Sequence, residues 1–220
     1  MQYGPPVARR CPKCRKIVLQ KVLSKTSTVG AIYFSDSKVV APEHPSTPFF
    51  SRCPHCGQYV WIEELEKVDL SANSKEELAC APSFEMMPIE NIIEFIDSGY
   101  ARTKTQEYKA RVALYWNYND RIRFSTVVAS EQEFDAALWK DEKDKAKCQE
   151  NLDKLYELCT ELTPEETPFF VELLREQGRF EEALALLDAG YAPEYETACE
   201  AERVLCEARN RYVSIVKQEE

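Results

Sequence analysis

Histidine and glycine are scarce in this sequence. Its 220 residues include two histidines, His44 and His55, and six glycines. Enzymes most often use histidine for general acid–base catalysis and a glycine-rich loop for binding phosphate. The sequence contains no Ser/His/Asp arrangement, no histidine metal motif and no such loop. These absences disfavour the commonest kinds of enzyme, so we expect a protein without catalytic activity.

Long apolar segments are also missing. No stretch approaches the run of about 18 apolar residues that a membrane-spanning helix needs. The first residues lack the basic start and apolar run of a secretory signal. Nine cysteines without such a signal indicate thiols or thiolates rather than disulfides. We therefore expect a cytoplasmic protein with no membrane partner.

Two cysteine dyads carry the clearest chemical signal in the chain. Cys11 and Cys14 form one, Cys53 and Cys56 form the other, and a proline follows the first cysteine of each. A Cys-x2-Cys turn presents two thiolates, so two such turns supply the four that a structural zinc ion binds in a tetrahedron. The sequence thus predicts one structural Zn²⁺ held by these four cysteines. Four protein ligands leave no open position for a substrate.

The same cysteines permit two redox interpretations. Taken alone, Cys53-Pro54-His55-Cys56 matches the active-site pattern of some thioredoxin-fold thiol oxidases, but no βαβ pattern surrounds it. The two dyads together resemble rubredoxin, in which similar turns hold iron for electron transfer. The long insertion between the dyads departs from that compact pattern, which favours zinc over iron. A rubredoxin-like or thiol redox protein is the less favoured alternative.

Charge is distributed unevenly along the chain. The net charge is -10, yet residues 1–60 carry nine basic and two acidic side chains, a formal charge of +7. Basic side chains surround the first dyad, and others lie in an aromatic-rich segment at 100–124. This asymmetry fits nucleic-acid binding, and it equally fits attraction between basic and acidic parts of the protein. The candidate anion- or partner-binding residues are Arg9, Arg10, Lys13, Arg15, Lys16, Arg121 and Arg123.

Strand-forming sequence precedes residue 63, and helix-forming sequence follows it. We expect a short, loosely held N-terminal tail, a strand near 17–23, a hairpin at 31–40 and a strand at 58–62 that pairs with the strand at the first dyad. Helices are predicted to begin near Ser74, Pro88, Thr103, Ser130, Thr163 and Pro193, the last running to about Val216. The predicted fold class is α+β. Its predicted domains are a zinc ribbon with a β-hairpin insertion at 1–66 and an α-helical domain at 67–220.

One helical stretch has a recognisable pattern. The segment from Val171 to Leu187, with Gly178, Phe180 and Ala183 at its turn, resembles a tetratricopeptide repeat and occurs once. The whole arrangement, a Cys-Pro-x-Cys ribbon followed by a helical domain with Tyr115-Trp116-Asn117-Tyr118, resembles a group of poorly characterised bacterial proteins. That resemblance implies no particular activity. We predict a non-enzymatic cytosolic adaptor that binds a protein partner, with nucleic-acid binding through the basic ribbon as the alternative.

Overall fold

In the computed structural model, the described residues are 2–43, 45–69, 80–124, 131–162 and 166–219. They form two compact units. The first, called the cysteine unit, comprises Met1–Gly30 and Val40–Tyr100, and the second, called the helical unit, comprises Ala31–Val39 and Ala101–Glu220. The domain boundary predicted between residues 66 and 67 stays a prediction, while the structure groups residues 31–39 with the helices.

The secondary structure is mixed, as the predicted α+β class requires. The strands are β1 (Gln2–Tyr3), β2 (Val7–Arg10), β3 (Ile17–Gln20), β4 (Leu23–Lys25), β5 (Ile32–Phe34), β6 (Val39–Val40), β7 (Phe50–Arg52), β8 (Tyr59–Trp61) and β9 (Ile215–Gln218). The helices are α1 (Ile89–Asp97), α2 (Lys104–Asn119), α3 (Glu131–Leu138), α4 (Glu142–Leu162), α5 (Thr167–Glu176), α6 (Phe180–Ala189) and α7 (Glu196–Glu207). Within the described ranges, none of the helices has the length and apolarity needed to cross a membrane.

The cysteine unit is built on two similar antiparallel hairpins. Strands β2 and β3 enclose the first dyad, and β7 and β8 enclose the second. The predicted pairing of residues 58–62 with the strand at the first dyad is wrong, because β8 pairs with β7 across its own dyad. The expected loose N-terminal tail is also wrong, since β1 pairs with β4. A dyad turn therefore closes a local hairpin in each case.

An aromatic cluster fixes α1 to the second hairpin of this unit. Phe95, which is fully buried on α1, stacks on Phe50 with ring centroids 4.6 Å apart. Its ring also meets Trp61 edge-on at 5.4 Å, and the Trp61 indole N–H donates to the carbonyl of Tyr100. The helix begins after Pro88, as predicted, because proline suits the start of a helix. This packing attaches α1 to β7 and β8, the two strands that enclose the second dyad.

The helical unit confirms several predicted helix boundaries. The Thr103 hydroxyl accepts the backbone N–H of Gln106 at 3.1 Å and caps α2. Gly178 and Gly190 have positive φ angles of 75° and 100° and follow the ends of α5 and α6. A break is present between α3 and α4, but it lies at residues 139–141, before most of the predicted range 141–147. The predicted helix starts at Ser74, Ser130 and Thr163 lie outside the described residues, as does His44.

The end of the chain differs from the prediction. The final helix, expected to reach Val216, ends at Glu207, and β9 follows it. The hairpin predicted at 31–40 is confirmed, with Ser37 at φ 62° in its turn. Strand β5 of that hairpin also pairs with β9, so the order of this sheet is β6-β5-β9. The strand propensity of Ile215 and Val216 is satisfied by a partner about 180 residues away, which a local pattern cannot reveal.

Candidate metal centre

The four dyad cysteines converge on one point. The Sγ atoms of Cys11, Cys14, Cys53 and Cys56 all lie within 4.8 Å of one another. The Cys11–Cys56 and Cys14–Cys53 Sγ distances are 3.7 and 3.8 Å. Thiolates bound at about 2.3 Å to a tetrahedral zinc ion lie about 3.8 Å apart, whereas a disulfide would bring two sulfurs to about 2.05 Å. The cysteines are therefore free thiols whose spacing fits a tetrahedral metal ion.

The two dyads have nearly identical backbones. The N–H of Arg15 donates to the carbonyl of Cys11 at 3.0 Å, and that of Gly57 donates to the carbonyl of Cys53 at 2.8 Å. Arg15 and Gly57 have φ angles of 62° and 72°, the left-handed conformation that turns the chain back towards the sulfurs. Glycine adopts this conformation freely, whereas arginine does so at some cost. Two equivalent turns thus present two thiols each.

Packing divides the four cysteines into an inner and an outer pair. Cys11 and Cys53 are 0% and 1% exposed and lie in a core with Val18, Val60 and Ile62. Cys14 and Cys56 are partly exposed. Each dyad contributes one cysteine to each pair. The metal centre therefore lies at the edge of the small core of the cysteine unit.

Burial changes the acidity of the inner pair. Desolvation raises the pKa of the Cys53 thiol to about 12, and it also raises the pKa of Cys11. The pKa of Cys14 is lowered to about 7, chiefly because its sulfur accepts the backbone N–H of Lys16. A buried thiolate is costly without a nearby positive charge, and a divalent ion supplies that charge. The inner cysteines thus suit metal ligation and lack the low pKa of a thiol nucleophile.

His55 lies within the second dyad and is exposed. Its Nε2 atom forms a 3.2 Å hydrogen bond with the carbonyl of Ile17, which belongs to the first hairpin. The ring therefore connects the two dyad-bearing hairpins of the cysteine unit. It stands outside the group of four sulfurs, as expected if the cysteines complete the ligand set.

The basic residues near the first dyad have different surroundings. Arg9 is 5% exposed, and its guanidinium donates to Gln20 and to backbone carbonyls. Arg10 and Arg15 both approach Glu66, with N–O distances of 3.6 and 3.2 Å. Lys13 and Lys16 are exposed. Anion binding by this group stays a prediction, for which the two lysines are the best-placed members.

The two arginines singled out in segment 100–124 are engaged within the helical unit. Arg121 pairs with Asp144 and donates to the carbonyl of Leu138. Arg123 has a fully buried side chain, and its two terminal nitrogens donate to the two carboxylate oxygens of Asp36 at 2.8 and 2.5 Å. Both guanidiniums are thus held by carboxylates of the same unit. A role for them in external anion binding remains a prediction.

A buried charged network in the helical unit escaped the sequence analysis. Its centre is Arg175, which is 0% exposed and donates all five of its N–H groups. The acceptors are Glu202 Oε2, the carbonyls of Asn210 and Tyr212, Ser35 Oγ and Glu172 Oε2. The local signal was faint, since Glu172 and Arg175 are two charged residues three apart in a mainly apolar helix. Such spacing is common on exposed helix surfaces.

Comparisons with protein-family models, with curated proteins and with solved structures each found no match. The tetratricopeptide and bacterial resemblances accordingly rest on the sequence pattern alone. The structure supplies a coarser description: an N-terminal cysteine cluster among β-strands, followed by helices.

Proposed function

We propose that Cys11, Cys14, Cys53 and Cys56 hold one structural zinc ion. The observation that carries this proposal is the grouping of four sulfurs within 4.8 Å, at separations that fit a tetrahedron. Four thiolates complete the usual coordination of structural zinc, so the ion has no position for a substrate. Iron in a rubredoxin-like site would use the same geometry, and it is the alternative that metal analysis must address.

We further propose that the protein is a non-enzymatic adaptor of the cytosol. Nine free cysteines suit a reducing compartment. The closed metal site supports a scaffold role, in which the ion holds the two hairpins together and no reaction occurs at the metal. Helices α5, α6 and α7 pack on one another. Packed helices form grooves of the kind that receive a peptide or helix from a protein partner.

Metal analysis of the purified full chain tests the first proposal. We expect one equivalent of zinc and no visible absorption band. Less than half an equivalent of any metal would contradict the structural site, and a visible band with one equivalent of iron would move the assignment to a rubredoxin-like centre.

Affinity capture tests the adaptor proposal. The zinc-loaded full chain should retain a defined protein partner from cells of its source, and the Cys53→Ser variant should retain less if the cysteine unit takes part. Capture of nothing above background would contradict the adaptor role. Titration with single- and double-stranded oligonucleotides addresses the alternative, because nucleic-acid binding would weaken steeply with salt and upon reversing the charges of Lys13 and Lys16.

A further inference from the structure

Two buried glutamates in the helical unit share a single arginine partner. Glu172 on α5 is 0% exposed, and Glu202 on α7 is 1% exposed. Both carboxylates contact the single guanidinium of Arg175. If both were ionised, this triad would carry a net charge of -1 in a desolvated interior. Buried groups of this kind usually change protonation to remain neutral.

In the triad of Glu172, Arg175 and Glu202, one carboxylate oxygen lacks a hydrogen-bond partner in the part of the chain that the structure describes. Glu172 Oε1 accepts from the Ser35 hydroxyl at 2.8 Å, and its Oε2 accepts from Arg175. Glu202 Oε2 accepts from Arg175 Nε at 2.9 Å. Glu202 Oε1 is buried without a hydrogen-bond partner among the described residues. An unpaired carboxylate oxygen in such a place is costly, whereas a protonated oxygen becomes a donor to a neighbouring carboxylate.

We propose that Glu172 and Glu202 share one proton beside Arg175 in the folded protein, which makes the stability of the helical unit sensitive to pH. The proton resides on Glu202 and is donated towards Glu172, so the triad is neutral. Burial raises the pKa of Glu202 well above the usual glutamate range, and the charge of Glu172 raises it further, although Arg175 opposes both effects.

The other charged and titratable groups that the structure describes around the triad supply no second positive charge in contact with Glu202. Glu176 on α5 accepts hydrogen bonds from Tyr115 and Asn119, and Asp36 in the hairpin turn is paired with Arg123. On α7, Arg203 pairs with Asp188 of α6. Burial raises the pKa values of the Cys199 and Cys206 thiols to about 11, so they are neutral near pH 7. Arg175 is therefore the positive charge in direct contact with Glu202.

The sign of the pH effect follows from the location of the proton. An unfolded glutamate has a pKa of about 4.3, so at pH 7 unfolding releases the shared proton. The folded state is then favoured by acid, and its stability falls as pH rises above about 4.3 towards the raised pKa of the folded protein. The contribution of this proton to the unfolding equilibrium constant is up to tenfold per pH unit.

Infrared spectroscopy of the zinc-loaded full chain at pH 7 tests the proposal directly. The folded protein should show a carboxylic-acid C=O band that weakens by one group in Glu202→Gln. The same loss is expected in Glu172→Gln, because Glu202 can then ionise against Arg175. The control is Glu207→Gln, an exposed change on the same helix that should leave the band intact. Each of the first two variants should also release one fewer proton upon unfolding than the control.

Three results would overturn the proposal. The first is a folded wild-type protein without a carboxylic-acid band, a measurement that needs no variant. The second is a band that is equal in all three variants. The third is a band lost in Glu202→Gln and kept in Glu172→Gln, which would show that Glu202 holds its proton without sharing it with Glu172. Should Glu202→Gln fail to fold, comparing Glu176→Gln with the double variant Glu172→Gln/Glu176→Gln still decides between a shared proton and none, because both lack the other buried glutamate with a raised pKa.

Discussion

The two units bring reactive side chains into their interiors by different means. The cysteine unit gathers four thiols at the edge of a small core, and on our proposal their charge is balanced by an ion from solution. The helical unit buries Asp36, Glu172 and Glu202, which contact Arg123 and Arg175 of the same unit, and on our proposal a shared proton neutralises the remaining carboxylate. A metal ion can be removed from the cysteine unit without changing the sequence, whereas a buried arginine of the helical unit can be removed only by mutation. We therefore expect the two units to unfold under different conditions.

The largest expected effect is removal of a metal ligand. Cys53→Ser in the full chain should unfold the cysteine unit and leave the helical unit folded, because structural zinc contributes on the order of 10 kcal/mol to folding of small domains. Residue-resolved NMR of the zinc-loaded protein measures both units at once. The control is Cys80→Ser, an exposed cysteine of the same unit, which should change nothing. Retention of the cysteine-unit signals in Cys53→Ser would show that the site is not structural.

Removal of the central arginine should have the next largest effect. Arg175→Met leaves Glu172 and Glu202 buried without their positive partner, and breaking a buried charged cluster in this way costs about 3–5 kcal/mol. Urea denaturation followed by helical circular dichroism measures the loss. Arg179→Met is the matched control, since Arg179 is partly exposed and pairs with Glu182 at the surface, where such pairs contribute about 1 kcal/mol or less. Equal effects of the two substitutions would contradict the role given to Arg175.

A substitution in the turn of the 31–40 hairpin tests which of the two units that turn stabilises. Asp36 lies between the two dyads in the sequence. Asp36→Asn removes the buried carboxylate that pairs with Arg123 in the helical unit. Because Arg123 keeps Asp120 at 2.7 Å, we expect a loss of about 2–3 kcal/mol in the helical unit. Zinc content should remain at one equivalent. Asp188→Asn at the surface serves as the control, and a loss confined to the metal site would reverse the assignment.

The two dyad turns offer a smaller and more local comparison. Gly57→Ala places a side chain at a φ angle of 72° and should cost the cysteine unit about 1–2 kcal/mol. Arg15→Gly should relieve the corresponding strain at the first dyad, whereas Arg15→Ala keeps it; both variants lose the contact with Glu66. Thermal unfolding of the zinc-loaded protein ranks the variants. We expect Arg15→Gly to be more stable than Arg15→Ala, and the opposite order would contradict the equivalence of the turns.

The last prediction concerns Glu176 and depends on pH. Burial raises the pKa of this carboxyl well above its usual value, and the nearby charge of Glu172 raises it further. A raised folded-state pKa means that stability is greatest in acid and falls as pH rises above about 4.3. Glu176→Gln retains an acceptor for Tyr115 and Asn119 but cannot ionise, so it should be more stable than wild type at pH 8 and equally stable at pH 4. Urea denaturation at both pH values measures this difference, with Glu200→Gln on the exposed face of α7 as the control.

Local patterns predicted the parts of the fold whose partners are close in sequence. The dyad turns, the cap at Thr103 and the helix ends at Gly178 and Gly190 each depend on a few adjacent residues. The pairing of β8 and the end of α7 were predicted wrongly, since both depend on which strand lies alongside. A strand pattern indicates that a partner exists without saying which one it is.

The sequence by itself determined the chemistry of the candidate metal centre. A Cys-x2-Cys turn sets two sulfurs in place through its own backbone, so four ligands could be named before any fold was known. Only the tertiary structure decided which charged residues are buried and which partners they have. Arg9 and Arg123 became interior groups, and Glu172, Arg175 and Glu202 became a buried triad, because burial and distant partners arise only when the chain packs. The physical reason is that turn geometry is local, whereas desolvation of a charge depends on everything that surrounds it.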